Sequence, residues 1–226
     1  MENDNQGTTP TAVLFDIDGT LVDSNYLHVE AWAHAFSDVG AREVHSWRIH
    51  RAIGQDSGRL IDALLGDRAA ELGDRAKELH SRYYKELVDR LLPLDGAQDL
   101  LRELHSRGRT IVLATSAPED ELDILTGILD VDDVIHATTN SDDVETAKPD
   151  PSIVEVALER AGVSADQAIF VGDSVWDVIA AARAGVKTIG LLSGGFSSAE
   201  LVAAGAVAVY DDPADLLAEL DLSPLG

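Results

Sequence analysis

Short apolar runs alternate with longer stretches in which apolar residues recur every three or four positions. "AVLFDI", "TIVLAT", "DVIHAT", "QAIFVGD", "VKTIGLL" and "VAVY" read as strands. "AQDLLRELHSRG", "EDELDILTGILD", "PSIVEVALERAG" and "VWDVIAAARAG" read as the helices between them. Leu100, Leu101 and Leu104 form one expected core-facing stripe, and Ile179, Ala182 and Ala184 another. Gly108, Gly162 and Gly185 fall where helices should stop. Alternation of this kind predicts an α/β fold with a Rossmann-like parallel sheet covered on both faces.

One stretch breaks the pattern. From about Tyr26 to Arg90 no run reads as a strand, while "NYLHVEAWAHAFSDVG", "EVHSWRIHRAI", "SGRLIDALLG" and "AAELGDRAKELHSRYYKELVDRL" carry helical spacing. This predicts an α-helical insertion over residues 24–92 that returns through "LLPLDGA", with a core built from residues 1–23 and 93–226. The opening "MENDNQGTTP" has neither the basic nor the apolar region of a secretory signal and reads as a loose polar tail.

Polar residues interrupt the apolar runs at strand ends, where ligands bind in open α/β sheets. Asp16 and Asp18 end the first run, Thr115 and Ser116 the second, and Lys148 follows the third. Asp173 and Asp177 follow the fourth. A parallel sheet would gather these residues at one edge. Neighbouring carboxylates repel, and burying an unpaired one is costly, so the group calls for a cation. Asp16 with Asp173 suits Mg²⁺, a hard ion that takes oxygen ligands. A carboxylate can attack phosphorus. A second one two residues on is placed to move a proton. A hydroxyl and a lysine would offset the charge of a phosphoryl group.

Composition narrows the partners. The 226 residues include 17 Lys+Arg against 41 Asp+Glu, a formal charge of −24. That balance argues against nucleic-acid backbones and anionic membranes. No apolar run reaches the roughly 20 residues of a membrane span. The absence of cysteine excludes disulfides and thiolate sites. The expectation is a cytoplasmic protein acting on a small molecule, with no oligomeric state implied. The histidines are dispersed without the spacing of a zinc site. Trp32, Trp47 and Trp176 read as core or interface anchors. "LSGGFSSAEL" lacks dinucleotide-binding glycine spacing and reads as a loop near the site followed by a helix.

"DIDGT", "ATS", "KPDP" and "GDSVWD" resemble, in order and spacing, the four motifs of the haloacid dehalogenase-like hydrolase superfamily, over about Val13 to Leu217. The insertion resembles the α-helical cap of its phosphoglycolate phosphatase and beta-phosphoglucomutase subgroup. The resemblance implies a Mg²⁺-dependent phosphatase of small phosphomonoesters, sugar phosphates or phosphoglycolate, working through an aspartyl-phosphate. It makes Asp16 the nucleophile and a metal ligand. It makes Asp18 the general acid/base, with its backbone carbonyl on the metal. Thr115 and the Ser116 amide would hold the phosphoryl group, and Lys148 would stabilise its charge. Asp173 would ligate the metal, and Asp177 would support it from behind. Dehalogenases of the superfamily lack the second aspartate, so Asp18 points to phosphate.

"DSNYLHVEAW" resembles the start of the cap in beta-phosphoglucomutase. This makes His28 a candidate cap contact that engages Asp18, and a beta-phosphoglucomutase-type phosphomutase the alternative function. Gly172 stands where that mutase carries an acidic residue, which favours the phosphatase. Plainer roles compete. Thr115 or Ser116 would cap the helix beginning near "PEDE", and Asp173 the helix after it. Lys148 and Asp177 would be surface charges, and His28 would pack near Trp32. Arg51 and Arg59 would be substrate contacts or solvated helix residues. Asp23 reads as a hinge into the insertion.

Overall fold

The computed structural model describes residues 10–144 and 148–226. The polar tail up to Thr9 and the three residues before Lys148 lie outside them. Six parallel strands form one sheet: β1 (Ala12–Phe15), β2 (Thr110–Leu113), β3 (Ala137–Thr138), β4 (Ala168–Gly172), β5 (Lys187–Leu191) and β6 (Ala208–Tyr210). Their order is β3-β2-β1-β4-β5-β6. β1 is therefore central, with Phe15 in register with Leu113 on one side and Val171 on the other.

After β1 the chain makes four helices, α1 (Asn25–Asp38), α2 (Ser46–Ala52), α3 (Ser57–Leu65) and α4 (Ala69–Lys85). It then alternates through α5 (Ala97–Ser106), α6 (Glu119–Leu129), α7 (Ser152–Ala161), α8 (Val175–Arg183), α9 (Ser198–Ala204) and α10 (Pro213–Ala218). Successive strand side chains point to opposite faces. Val13 and Phe15 accordingly pack with Leu100, Leu104 and Leu125 of α5 and α6, and Leu216 of α10. Ala12 and Leu14 pack with Ile153, Ala157 and Ala181 of α7 and α8. Both faces are covered, so β1 tolerates no polar residue before Asp16.

α1 to α4 bury a second core of their own, with Trp32, Phe36, Ile49, Leu60 and Leu79 at its centre. The chain enters and leaves this inserted α-helical cap through two adjacent crossings. The Asp23 amide donates to Leu92 O at 2.9 Å, and the Leu94 amide to Leu21 O at 2.9 Å. Asp23 thus lies at a crossing, held through its backbone.

Three local expectations are corrected. The strand read over "DVIHAT" contracts to Ala137–Thr138, because this edge strand pairs with only Val112 and Leu113. In α8 the buried residues are Asp177, Val178, Ala180 and Ala181, while Ala182 is exposed and Ile179 half-buried. The inward Asp177 sets that face, offsetting the expected stripe. Trp47 is 65 % exposed and does not anchor the core, whereas Trp32 is buried. Among the described residues no helix is long and apolar enough to cross a membrane.

Candidate active site

The site begins where β1 runs out. The Asp16 amide still donates to Val171 O at 3.0 Å, extending the ladder by one residue. A tight turn follows, closed by Leu21 N to Ile17 O and Gly19 N to Val22 O, both 2.8 Å. Gly19 has φ +73°, and a Cβ there would lie 2.2 Å from Asn25 Nδ2. Both backbone and space demand glycine. Asp16 and Asp18 leave this turn as walls of one cavity.

Behind Asp16 sits a buried charge cluster. Lys148 Nζ lies 2.6 Å from Asp16 Oδ1 and 2.7 Å from Asp177 Oδ1. Asp173 accepts from Thr20 Oγ1 at 3.0 Å and from Asn25 Nδ2 at 2.8 Å. Asp177 Oδ2 accepts from the Ser174 amide and hydroxyl at 3.0 and 2.7 Å. Ligand atoms of Asp16, Asp173 and Asp177 all lie within 4.8 Å of one another. Three carboxylates face one ammonium group, which leaves two formal negative charges in a buried volume. Burial, then repulsion from Asp177 and Asp18 against the pull of Lys148, pushes Asp16 up to about 7. Burial, then repulsion from Asp177 and Asp16, raises Asp173 well above its ordinary value. The same carboxylates overcome burial to raise Lys148, which stays charged.

This donor set fits a hard divalent cation, whose charge matches the deficit and whose preference is for oxygen. Both Asp177 oxygens are already engaged by Lys148 and Ser174, so Asp16 and Asp173 are the groups suited to hold the ion. Neither Lys148 nor Asp177 is a surface charge: they are 2 % and 0 % exposed. Ser174, not Asp173, caps α8.

On the open side, Asp16, Asp18, Thr115, Ser116 and Lys148 line a cavity of about 520 Å³. That volume suits a small ligand. Thr115 Oγ1 accepts from the Ala117 amide at 3.1 Å, and Thr139 Oγ1 donates to Thr115 O at 2.9 Å. α6 starts later, with Pro118 at its N-cap position, so neither Thr115 nor Ser116 caps it.

The cap closes the cavity over Asp18. His28 Nε2 lies 3.4 Å from Asp18 Oδ1, which also accepts from Ser24 Oγ at 2.5 Å. Burial opposes ionisation of Asp18, but His28 and Ser24 outweigh it and hold the carboxyl below its ordinary value. The same pairing outweighs burial at His28 and raises it. His28 packs face to face on Tyr84 at 3.9 Å, not on Trp32. Its Nδ1 meets His80 Nε2 at 3.1 Å, and His80 in turn stacks on Trp32 at 4.1 Å.

Arg51 and Arg59 do not line the cavity. Arg51 pairs with Glu200 and lies 4.5 Å above the Phe196 ring, and its carbonyl accepts from Trp176 Nε1. Arg59 turns back on Asp56 of its own helix start. The "SGG" loop approaches the cluster as read: Ser193 Oγ donates to Gly19 O at 2.6 Å, and His50 Nε2 meets Gly194 O at 2.9 Å. Sequence reasoning missed His80 and Glu121, both buried cavity residues. Only tertiary packing brings them there, and helical spacing carries no signal of it. Asn25 had a weak signal, standing beside the "DS" that opens the insertion.

His80 makes a stability prediction. Burial, then the charges of His28 and Lys77, depress it well below 6.5. In the unfolded chain it takes up a proton near pH 6.5, and in the folded chain it does not. Its contribution is therefore present above pH 6.5 and lost as pH falls below it. Between pH 7 and 5 the wild type should lose up to about 1 kcal/mol more per pH unit than His80→Gln, read from urea midpoints. Parallel pH profiles would contradict this.

Known proteins resemble this chain over most of its length. Residues 13–191 match the family described as haloacid dehalogenase-like hydrolase. A phosphoglycolate phosphatase of Rhodospirillum rubrum is 32% identical over 218 residues, covering 92% of this chain and 89% of the relative. A pyrophosphatase PpaX of Bacillus velezensis is 28% identical over 181 residues, covering 80% of this chain and 82% of the relative. Among solved structures, a hydrolase from Pseudomonas syringae superposes with a TM-score of 0.88 at 38% identity, covering 94% of this chain and 98% of that one. A beta-phosphoglucomutase from Clostridium difficile shares the fold, with a TM-score of 0.81 at 21% identity over 96% and 97% of the two chains. With the motif carboxylates gathered at one sheet edge and the match spanning most of its length, the chain belongs to the haloacid dehalogenase-like hydrolases.

Proposed function

We propose that this chain is a Mg²⁺-dependent phosphatase of small phosphomonoesters, with sugar phosphates or phosphoglycolate as substrates and an aspartyl-phosphate on Asp16. The observation that carries the reading is the buried pairing of Asp16 with Lys148 beside Asp173, with Asp18 open to the same cavity. The relatives named phosphoglycolate phosphatase and pyrophosphatase support phosphorus as the atom attacked.

In this mechanism Asp16 attacks phosphorus, and the bond to the alcohol oxygen breaks as that oxygen takes a proton from Asp18. Asp18 then draws a proton from water, which attacks the same phosphorus and frees Asp16. The His28–Asp18 contact keeps one transferable proton beside the leaving group. Thr115 and the Ser116 amide receive the phosphoryl oxygens, and Lys148 fixes Asp16 and offsets charge. Mg²⁺, held by Asp16, the Asp18 carbonyl and Asp173 with Asp177 behind them, would supply the positive charge that draws a dianionic substrate into an acidic site. Residues 24–92 serve as the cap, opening at the crossings near Asp23 and Pro93 to exchange ligands.

A phosphomutase is favoured by one observation, the contact of His28 with Asp18. Gly172 weighs against it. A Cβ there would lie 2.7 Å from Asp177 Cβ, so an acidic residue has no room without displacing Asp177.

The test is phosphate release from sugar phosphates and phosphoglycolate with Mg²⁺. Asp16→Asn should lower kcat by at least about a thousandfold. An active Asp16→Asn enzyme would sink the nucleophile assignment. Conversion of one sugar phosphate into its isomer without free phosphate would establish the mutase instead.

The raised carboxyls give the ion's pH dependence. Folded pKa values above the unfolded value of 3.8 mean that protonation stabilises the ion-free site, and that this stability is lost as pH rises through about 7. Mg²⁺ competes with those protons, so it should raise Tm more at pH 8 than at pH 6. Asp173→Asn should shrink the Mg²⁺-dependent shift. An equal Mg²⁺ shift at both pH values would contradict the assignment.

A further inference from the structure

The cavity holds one carboxylate that the proposed chemistry does not use. Glu121 lies in the first turn of α6, is 7 % exposed and lines the cavity. Among the described residues no side chain or backbone group donates to its carboxylate or pairs with it. Its acidic neighbours on the wall differ. Asp120 is exposed and pairs with Lys85 at 2.6 Å. Asp56 accepts from the Arg59 amide at 2.9 Å and pairs with the Arg59 side chain. An acid that only complements a helix start stays in solvent, as Glu119 and Asp120 do in the same turn. Glu121 is instead largely buried, with its carboxylate unpaired among the described residues and turned to the cavity, where a ligand can donate to it.

The surroundings select the donor. Glu121 lines the same cavity as His28 and Asp18 and lies within electrostatic range of both. A second anion on the substrate would meet Glu121, Asp18, Asp56 and Asp120 on the walls. A cationic group would meet Lys77 and the His28 ring. A neutral hydrogen-bond donor suits this mixed field best, and a hydroxyl is the small group that supplies it. The remaining polar wall from the cap, Gln55, Ser57 and Ser81, is of the same uncharged kind.

We infer that Glu121 is a substrate-specificity residue that accepts a hydrogen bond from a hydroxyl of the leaving group, so that the preferred substrates are polyhydroxylated phosphomonoesters of the sugar-phosphate class. This rests on the phosphatase reading and chooses within it, against phosphoglycolate and pyrophosphate, whose leaving groups are anionic. Burial raises the Glu121 carboxyl, a cost that a donated hydroxyl hydrogen bond relieves.

The test measures kcat/KM for phosphate release by the full chain with Mg²⁺. The substrates are a hexose 6-phosphate, 2-phosphoglycolate, pyrophosphate and p-nitrophenyl phosphate. Wild type should favour the hexose phosphate. Glu121→Ala should lower the ratio of hexose phosphate to p-nitrophenyl phosphate by about tenfold to a hundredfold. Glu121→Gln, similar in size and still an acceptor through its amide oxygen, should fall between. Both should raise the 2-phosphoglycolate to hexose phosphate ratio. Ratios unchanged in Glu121→Gln and Glu121→Ala would overturn the inference and leave the phosphatase reading standing, as would a wild type that prefers 2-phosphoglycolate or pyrophosphate. No release from any substrate by the wild type would overturn both.

Discussion

The structure turns on one ammonium group shared between two buried carboxylates. Lys148 reaches Asp16 and Asp177 at 2.6 and 2.7 Å, while Asp173 stands close by with no cationic partner among the described residues. Without Lys148, three carboxylates would face one another out of water, and burial would drive them to take up protons. With it, the cluster keeps a deficit of the size a divalent ion would fill. In a chain of overall charge −24, such an ion would offset the two negative charges that Lys148 leaves at this point.

The fold exists around that point. β1 is apolar through Phe15 and both of its neighbours are parallel, so its carboxyl end is the one place where a nucleophile can emerge from the core. Asp177 is held by a capping box at the start of α8, and the helix turns an acidic residue inward as a result. The cap adds what the sheet edge lacks. Its first helix places His28 at Asp18, and its fourth places His80 behind His28, so the surroundings of Asp18 are completed from outside the core. The entry and exit segments meet at Asp23 and Leu92, so the cap joins the core through two neighbouring crossings.

Much of this is legible in sequence because it is local. Apolar runs bounded by acids locate the strand ends, and four such ends on one parallel sheet must converge. Asp16, Asp18, Thr115, Lys148 and Asp173 are therefore visible from position alone. What escapes is set by packing between elements distant in the chain. The ring stack of Tyr84, His28, His80 and Trp32 joins α1 to α4, and no spacing within either helix announces it. Glu121 reads as an ordinary acidic first-turn residue until burial separates it from Glu119 and Asp120. Arg51 reads as a substrate contact or a solvated helix residue, and is instead held by Glu200 and Phe196 across the cap–core seam. α8 is offset for a related reason: apolar periodicity cannot register a buried aspartate whose partner is a lysine from another segment.

The central claim is that Asp16 bonds to phosphorus and water later removes the phosphoryl group, so phosphorus undergoes two displacements. The most direct measurement is the stereochemical course at an isotopically chiral phosphorothioate substrate. Two in-line displacements predict net retention of configuration in the product. Net inversion would mean that water attacks the substrate directly, and would contradict the role assigned to Asp16.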